Sequence, residues 1–371
     1  MKIAGIRATT VAMPVRHPPW IKLWFQRTHV KRTIGEVITD TGIVGLGETR
    51  GRYSTALING ELRDALLGTD PLDRAGAVAR CVDPVDDFGF PEDNVRRVAL
   101  GGIEVALWDI AGKHAGKPLY DLLGGKVRPK ALFAGYGYPI DPENLLSLAE
   151  IPAVFARRAR EIVAEQDGQW FEFKIARHDL DTDIATILAT REALGSTVRI
   201  AVDANMAYTI PQATRMLEAV APARLDNFEE PVAGLADLAA LRRKHGVPVS
   251  THCTLVDAVR PYPEIDAVAS DPPLHGGIGG TVNLMREVAA AGRGFWLRST
   301  WELGIAWAVH CHLGVACREM TRPSQGLIDL VEDDLVLGPT WAVRGGGVAP
   351  PGTPGLGVEL DRDAVRACAV S

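Results

Sequence analysis

Eight short apolar runs, spaced roughly 20–35 residues apart with helical patterning between them, organise the chain from Lys130 onward. They are Ala131–Tyr138, Trp170–Ile175, Val198–Asp203, Leu225–Glu229, Val247–His252, Ala267–Asp271, Gly294–Ser299 and Leu327–Val331. Strands of this length with room for a helix between them predict βα units, and so a parallel sheet. Eight units make a closed (β/α) barrel of the TIM type the first choice. An open doubly wound sheet is the alternative, but no glycine-rich phosphate fingerprint opens the first unit. The run Gly276-Gly277-Ile278-Gly279-Gly280 follows the sixth strand and lacks a P-loop lysine. It reads as a loop-to-helix turn, with pocket lining as one option.

Residues 1–50 have strand character. Lys31 to Thr39 alternates, Asp40-Thr41-Gly42 makes a turn, and Ile43 to Glu48 returns. Between Pro14 and His29 the chain carries Pro18, Pro19, Trp20, Trp24 and Phe25, which suggests either a packed flap or a substrate lid. Residues 54–125 read as helical, ended by Gly124-Gly125. The stretch Thr340–Pro354, rich in Gly and Pro, is expected to run back over the surface.

At 371 residues the chain has room for a barrel of about 250 residues and a second unit. Its net charge of −6, with the signs interspersed, leaves no basic patch for nucleic acid. No apolar run is long enough to cross a bilayer. The opening Met1-Lys2-Ile3-Ala4-Gly5-Ile6-Arg7 lacks a secretory core and reads as an edge strand. Five scattered cysteines, an odd number, fit a reducing cytoplasm better than a disulfide framework.

In a barrel, strand-end residues gather at one mouth however far apart they lie in sequence. Here the strand ends supply Lys174, Asp203, Glu229, His252, Asp271 and Arg298. Each alone has a plain explanation: an aspartate can be a helix N-cap, a lysine can snorkel, and a lone histidine can be structural. Six together at one rim shift the reading towards chemistry. Asp203 and Glu229 end successive runs, and paired carboxylates invite a hard divalent cation such as magnesium.

Several segments resemble the enolase superfamily, in its mandelate racemase and muconate lactonizing branch. Val105-Ala106-Leu107-Trp108-Asp109-Ile110-Ala111-Gly112-Lys113, followed by Gly116 to Gly125, is similar to the helix-ending signature of that branch. Val202-Asp203-Ala204-Asn205 and Phe228-Glu229-Glu230-Pro231 resemble its first two metal-ligand strands. The resemblance implies an α+β capping unit over a modified (β/α) barrel: capping residues 1–125, barrel residues 126–335, and a segment 336–371 returning to the cap. It also implies a magnesium site of Asp203, Glu229 and a third ligand, and abstraction of a proton α to a carboxylate by a lysine or histidine base through a metal-stabilised ene-diolate. Family members are usually homo-oligomers.

Independent chemistry supports that scheme. A carbon acid beside a carboxylate is very weak, and a divalent cation on the carboxylate spreads the extra charge. Lys174 is the candidate base, and Phe173-Lys174-Ile175 matches the second lysine of the branch's Lys-x-Lys strand motif.

Three departures stand out. Glu172 replaces the first lysine of that motif; two residues apart on a strand, it should flank Lys174 and hold it protonated. His252 stands where the third ligand is normally Asp, Glu or Asn, which opens the site to manganese or another divalent metal. Ser270-Asp271 with Gly276-Gly277-Ile278 resembles the sixth-strand Asp segment of the glucarate dehydratase group, and Arg32-Thr33-Ile34 and Gly45 to Thr49 add to the resemblance to that group. In that group a seventh-strand histidine pairs with the aspartate; here Arg298 takes its place. Arginine is a poor general base but a good fork for a carboxylate.

Racemisation wants a base on each face of the α-carbon, whereas dehydration can proceed with one. The expected reaction is dehydration of a sugar acid or related hydroxy acid, a small-molecule carboxylate. Lys174, Asp271 and Arg298 are the catalytic candidates, and Asp203, Glu229 and His252 the metal ligands. Glu172, Asn205, Glu302, Trp20 and Arg50 are candidate substrate contacts. A racemase, epimerase or cycloisomerase of the same superfamily, or an anion-binding descendant with impaired catalysis, are the alternatives. Arg52, His17 and Arg27 have the plainer reading of solvated charge. His310 and His312, two apart in a helical stretch, do not share a face for a metal.

Overall fold

The computed structural model describes all residues except 17–19, 23–24, 27, 82–94, 140–145, 328–330, 332–333, 339–340 and 371, together with the side chains of 20–22, 25–26 and 52. The Pro14–His29 stretch expected as a flap or lid, and the Trp20 side chain with it, lie largely outside the described residues.

The N-terminal part forms an antiparallel sheet of β1 (Ile3–Pro14), β2 (His29–Thr39) and β3 (Val44–Arg50), in that order. One face of this sheet buries Ile6 and Val37 against Ile103, Ala106, Leu107 and Ile110 of the helix Val95–Ala115. Each such side chain stabilises by roughly 1.5–3 kcal/mol when fully buried. The helix approaches β3 so closely that a Cβ on Gly47 would stand 1.8 Å from the Gly102 carbonyl oxygen. Only glycine permits that contact.

Eight parallel strands follow: β4 (Ala131–Gly137), β5 (Trp170–Lys174), β6 (Arg199–Asp203), β7 (Asn227–Glu229), β8 (Val249–Thr251), β9 (Ala267–Ser270), β10 (Gly294–Leu297) and β11 (Ser324–Gln325). They pair in chain order from β4 to β10, and β11 lies beside β4. The seam between β10 and β11 carries a Phe295–Met320 bridge and a hydrogen bond from the Thr321 amide to the Phe295 carbonyl (3.0 Å), which brings the barrel close to closure. The last strand lies ahead of the expected Leu327–Val331. It is two residues long and contains a glutamine, so an apolar run could not reveal it.

Alternation along each strand sets which residues face the axis. On β5, Phe171 and Phe173 pack outward on Phe155 of the helix Ile151–Gln166, with ring centroids 6.0 and 5.0 Å away. Glu172 and Lys174 therefore turn inward.

Two acids from the N-terminal part fasten it to the barrel. Glu48 accepts hydrogen bonds from the amides of Leu303 (2.8 Å) and Ala306 (2.9 Å), at the start of the helix Gly304–Ala316. Glu104 accepts from Ile278 (2.7 Å) and Gly279 (3.0 Å), at the start of the helix Ile278–Ala290. A buried carboxylate at a helix N-terminus satisfies orphan amides and favours the positive end of the dipole. The glycine-rich turn thus holds Glu104 instead of lining the mouth. The C-terminal residues return to the N-terminal sheet: the Val370 amide donates to the Thr10 carbonyl (2.9 Å), and the Leu356 amide to Asp109 (2.8 Å). Among the described residues no helix is long and apolar enough to cross a membrane.

Candidate active site

Register brings the acids level. Lys174 on β5 pairs with Asp203 on β6, and Asp203 pairs with Glu229 on β7. Asp203 and Glu229 are fully buried, and Lys174 forms an ion pair with Asp203. One ligand atom each from Asp203, Glu229 and His252 lies within 4.8 Å of the others, a spacing that one cation can span. The chain just past the strands is sharply bent: Ala176, Asn205, Met206, Glu230 and Trp301 all have positive φ. Such conformations cost free energy and cluster at functional rims. At Asn205 the bend lets the backbone amide donate to Asp203 Oδ1 (2.7 Å).

Charge is balanced within this rim. His252 Nε2 lies 2.6 Å from Glu229 Oε1, and its Nδ1 lies 3.1 Å from Glu230 Oε2. Burial alone would lower the imidazole's proton affinity; the two glutamates overcome it and push the pKa up to about 10. Burial raises the Glu229 carboxyl, but His252 and Lys174 outweigh it and take it down to about 2. Asp203 is raised: burial and Glu229 together exceed the pull of Lys174. Lys174 is itself raised, because Asp203 and its neighbours more than offset burial.

Burial, and then Glu229 and Asp203, raise the Glu172 carboxyl well above the ordinary range, which weakens it as the anion expected to hold Lys174 protonated. It lies one layer below the rim and accepts from Gln325 Nε2 (2.6 Å). Asp203 is what keeps the lysine protonated.

Across the mouth, Arg298 Nε donates to Asp271 Oδ1 (2.9 Å), and Arg50 Nε lies 4.0 Å from Asp271 Oδ2. Burial would raise Asp271; Arg50 and Arg298 instead bring it down to about 2. A carboxylate held that low is a poor base, and its geometry is that of a holder for two guanidinium groups. Arg50, Lys174, Asn205, His252 and Arg298 line one cavity of about 670 Å³. Glu172, Asp271 and Glu302 do not line it. Glu302 is spent on its own loop, accepting from Ser299 Oγ (2.6 Å) and the Thr300 amide (2.6 Å).

Residues 154–364 match the family described as "Enolase C-terminal domain-like", and residues 6–124 match "Mandelate racemase / muconate lactonizing enzyme, N-terminal domain". The chain belongs to the enolase superfamily. Within that superfamily it is 28% identical to a Streptomyces coelicolor protein named "Probable glucarate dehydratase", over 98% of this chain and 90% of the relative. It is also 28% identical to D-galactarolactone cycloisomerase of Agrobacterium fabrum, over 92% and 91%. An enolase structure from Thermobispora bispora, complexed with magnesium and formate, superposes with a TM-score of 0.87 at 28% identity, covering 99% of this chain and 92% of that one.

As a superfamily member, the chain has a donor set that fits a divalent cation. Two buried carboxylates and an imidazole converge, and their charge is already met by Lys174 and a protonated His252, the counter-charge a cation would replace. A protonated imidazole cannot ligate, so binding through His252 must release a proton.

Motif reading missed Gln325. Its Nε2 donates to Glu172 and, at 3.3 Å, to Glu229, while its carbonyl accepts from the Ser299 amide (2.8 Å). Glu230, in the sequence only a member of the Phe228-Glu229-Glu230-Pro231 motif, accepts from the His252 amide (2.8 Å) and Thr251 Oγ1 (3.2 Å), orienting the histidine. The buried Arg32–Glu48 pair (2.7 Å) braces Thr300 through Arg32 Nη1 (3.1 Å). His312 accepts from the Tyr120 amide (3.2 Å) and packs in the core.

Proposed function

We propose that the protein removes a proton α to a carboxylate and eliminates water from a hydroxy acid, with Lys174 as the base. The observation that carries this reading is one cavity bordered by a half-buried lysine at a carboxylate rim and by two arginines on the opposite side. Asp203, Glu229 and His252 would hold magnesium or manganese, whose charge would make the α-proton of a bound carboxylate more acidic. Relieved of its ion pair with Asp203, Lys174 loses the interaction that raises its proton affinity and can accept that proton at Nζ. Arg298 and Arg50, held by Asp271, would orient the anion.

In net, Cα loses a proton and Cβ loses hydroxide. The C–H electron pair becomes the new double bond, and a 2,3-dihydroxy acid would emerge as a 2-keto-3-deoxy acid plus water. A single base suits elimination better than racemisation, since Arg298 stays protonated. The relatives' names make sugar acids the first class to screen.

A second reading has its own support. The rim balances its charges internally, so the protein could bind an anion without turnover. Incubation with a library of hydroxy acids in deuterated water, with magnesium or manganese, separates the readings. Keto-acid formation supports dehydration. Deuterium at Cα without loss of water points to an isomerase. Neither outcome with any acid or metal leaves anion binding.

A further inference from the structure

Cationic and apolar side chains both line the cavity. Lys174, Arg50 and Arg298 make one end cationic. The connections after β6 to β9 add an aliphatic set, Met206, Val232, Leu235, Leu238, Leu255 and Leu274, interrupted by the polar Asn205, Glu230, Thr251, His252, Cys253 and Thr254. Four successive βα connections thus contribute apolar side chains to the same cavity. Two of them stand open to water at the mouth, Met206 at 50% exposure and Leu255 at 45%. An exposed apolar surface of this kind marks a binding site when it borders a cavity.

Where a chain of hydroxyls lies on those aliphatic side chains it surrenders water, and among the described residues of these connections only side chains such as Asn205, Thr251 and Thr254 offer partners in return, which is unfavourable for a fully hydroxylated tail. An alkyl or aryl tail there would gain from burial. We infer that this site takes a hydroxy acid whose carboxylate lies at the cationic end and whose tail beyond the reacting carbons is apolar. The inference rests on the proposed reading only in placing the carboxylate among Lys174, Arg50 and Arg298. It narrows the substrate class away from fully hydroxylated sugar acids.

The test offers the magnesium- or manganese-loaded protein two matched sets. One is 2,3-dihydroxyhexanoate and 2,3-dihydroxyoctanoate; the other is gluconate and galactonate. Turnover and deuterium exchange are followed by NMR, and ligand-induced Tm shifts are measured alongside. The alkyl acids are expected to show at least about tenfold higher kcat/KM, the scale on which apolar pockets discriminate. Leu235→Asn and Leu255→Asn, at positions that are not buried, should cut that preference several-fold and leave metal binding unchanged. Equal or better turnover of the hexonates overturns the inference and leaves the proposed reaction standing. If neither set reacts, the proposed reaction fails for both, and the Tm shifts decide the pocket. Larger shifts with the alkyl acids uphold the apolar-tail assignment, and equal or smaller shifts overturn it.

Discussion

Two ion pairs on buried aspartates face each other across the barrel mouth, and they are built from different cations for different ends. Lys174–Asp203 belongs to a rim where two acids compete, so Asp203 is raised while Glu229 falls to about 2. Arg298–Asp271 has no competing acid among its causes, and two guanidinium groups drive Asp271 to about 2. A lysine can surrender its proton when its partner is taken away; an arginine cannot. The lysine side can therefore change its charge state during a reaction, and the arginine side supplies a constant positive field. The lesson is that two similar-looking salt bridges divide between chemistry and holding according to which cation each contains.

The division is broken most directly at Lys174. Lys174→Met should lower exchange of the α-proton by about 10³-fold or more, the usual scale of a lost general base. NMR in deuterated water reads this, and a variant that exchanges normally would remove Lys174 from the mechanism. Stability should respond in the opposite order. Arg298→Met strands a buried carboxylate with only the more distant Arg50 and should cost about 3 kcal/mol in urea unfolding. Lys174→Met should cost less, because Asp203 can take up a proton.

The two sides should also fail at opposite ends of the pH scale. Asp271 is depressed when folded, so its contribution is present above its unfolded pKa near 4 and is lost as pH falls towards about 2. That loss amounts to about 2.5 kcal/mol. His275, 2.6 Å from Ser270 Oγ, is lowered by burial to about 4 and adds a loss at least as large, as pH falls from about 6.5 towards about 4. His252 is raised when folded, so its contribution is complete below about 6.5 and fades as pH climbs towards about 10. Unfolding free energies measured from pH 3 to 10 should show both limbs, and saturating divalent metal should flatten the alkaline one alone. The smallest effect is expected at Gln325. Gln325→Leu should weaken metal binding about tenfold by calorimetry, because it loosens Glu229. It should leave the acid limb in place.

Which parts of this were readable beforehand follows from how each signal is encoded. Seven of the eight barrel strands announce themselves as apolar runs, and the acids at their ends are named by position. The eighth, Ser324–Gln325, is too short and too polar for any periodicity, so Gln325 went unseen. Glu302 looked available because it follows a strand end, but its own loop consumes it. The glycine-rich run is legible as a loop-to-helix turn, but not the Glu104 side chain from a distant helix that its amides hold.

The order of residues along the chain determined the strand–helix alternation, the parallel barrel and the acids delivered to its rim, because hydrophobic period and strand length are local properties. Charge states were decided only by folding. The Glu172 carboxyl is raised, His252 becomes charged and Asp271 becomes an anchor through burial and through neighbours distant in sequence, and desolvation and Coulomb energy depend on distances that exist only in three dimensions.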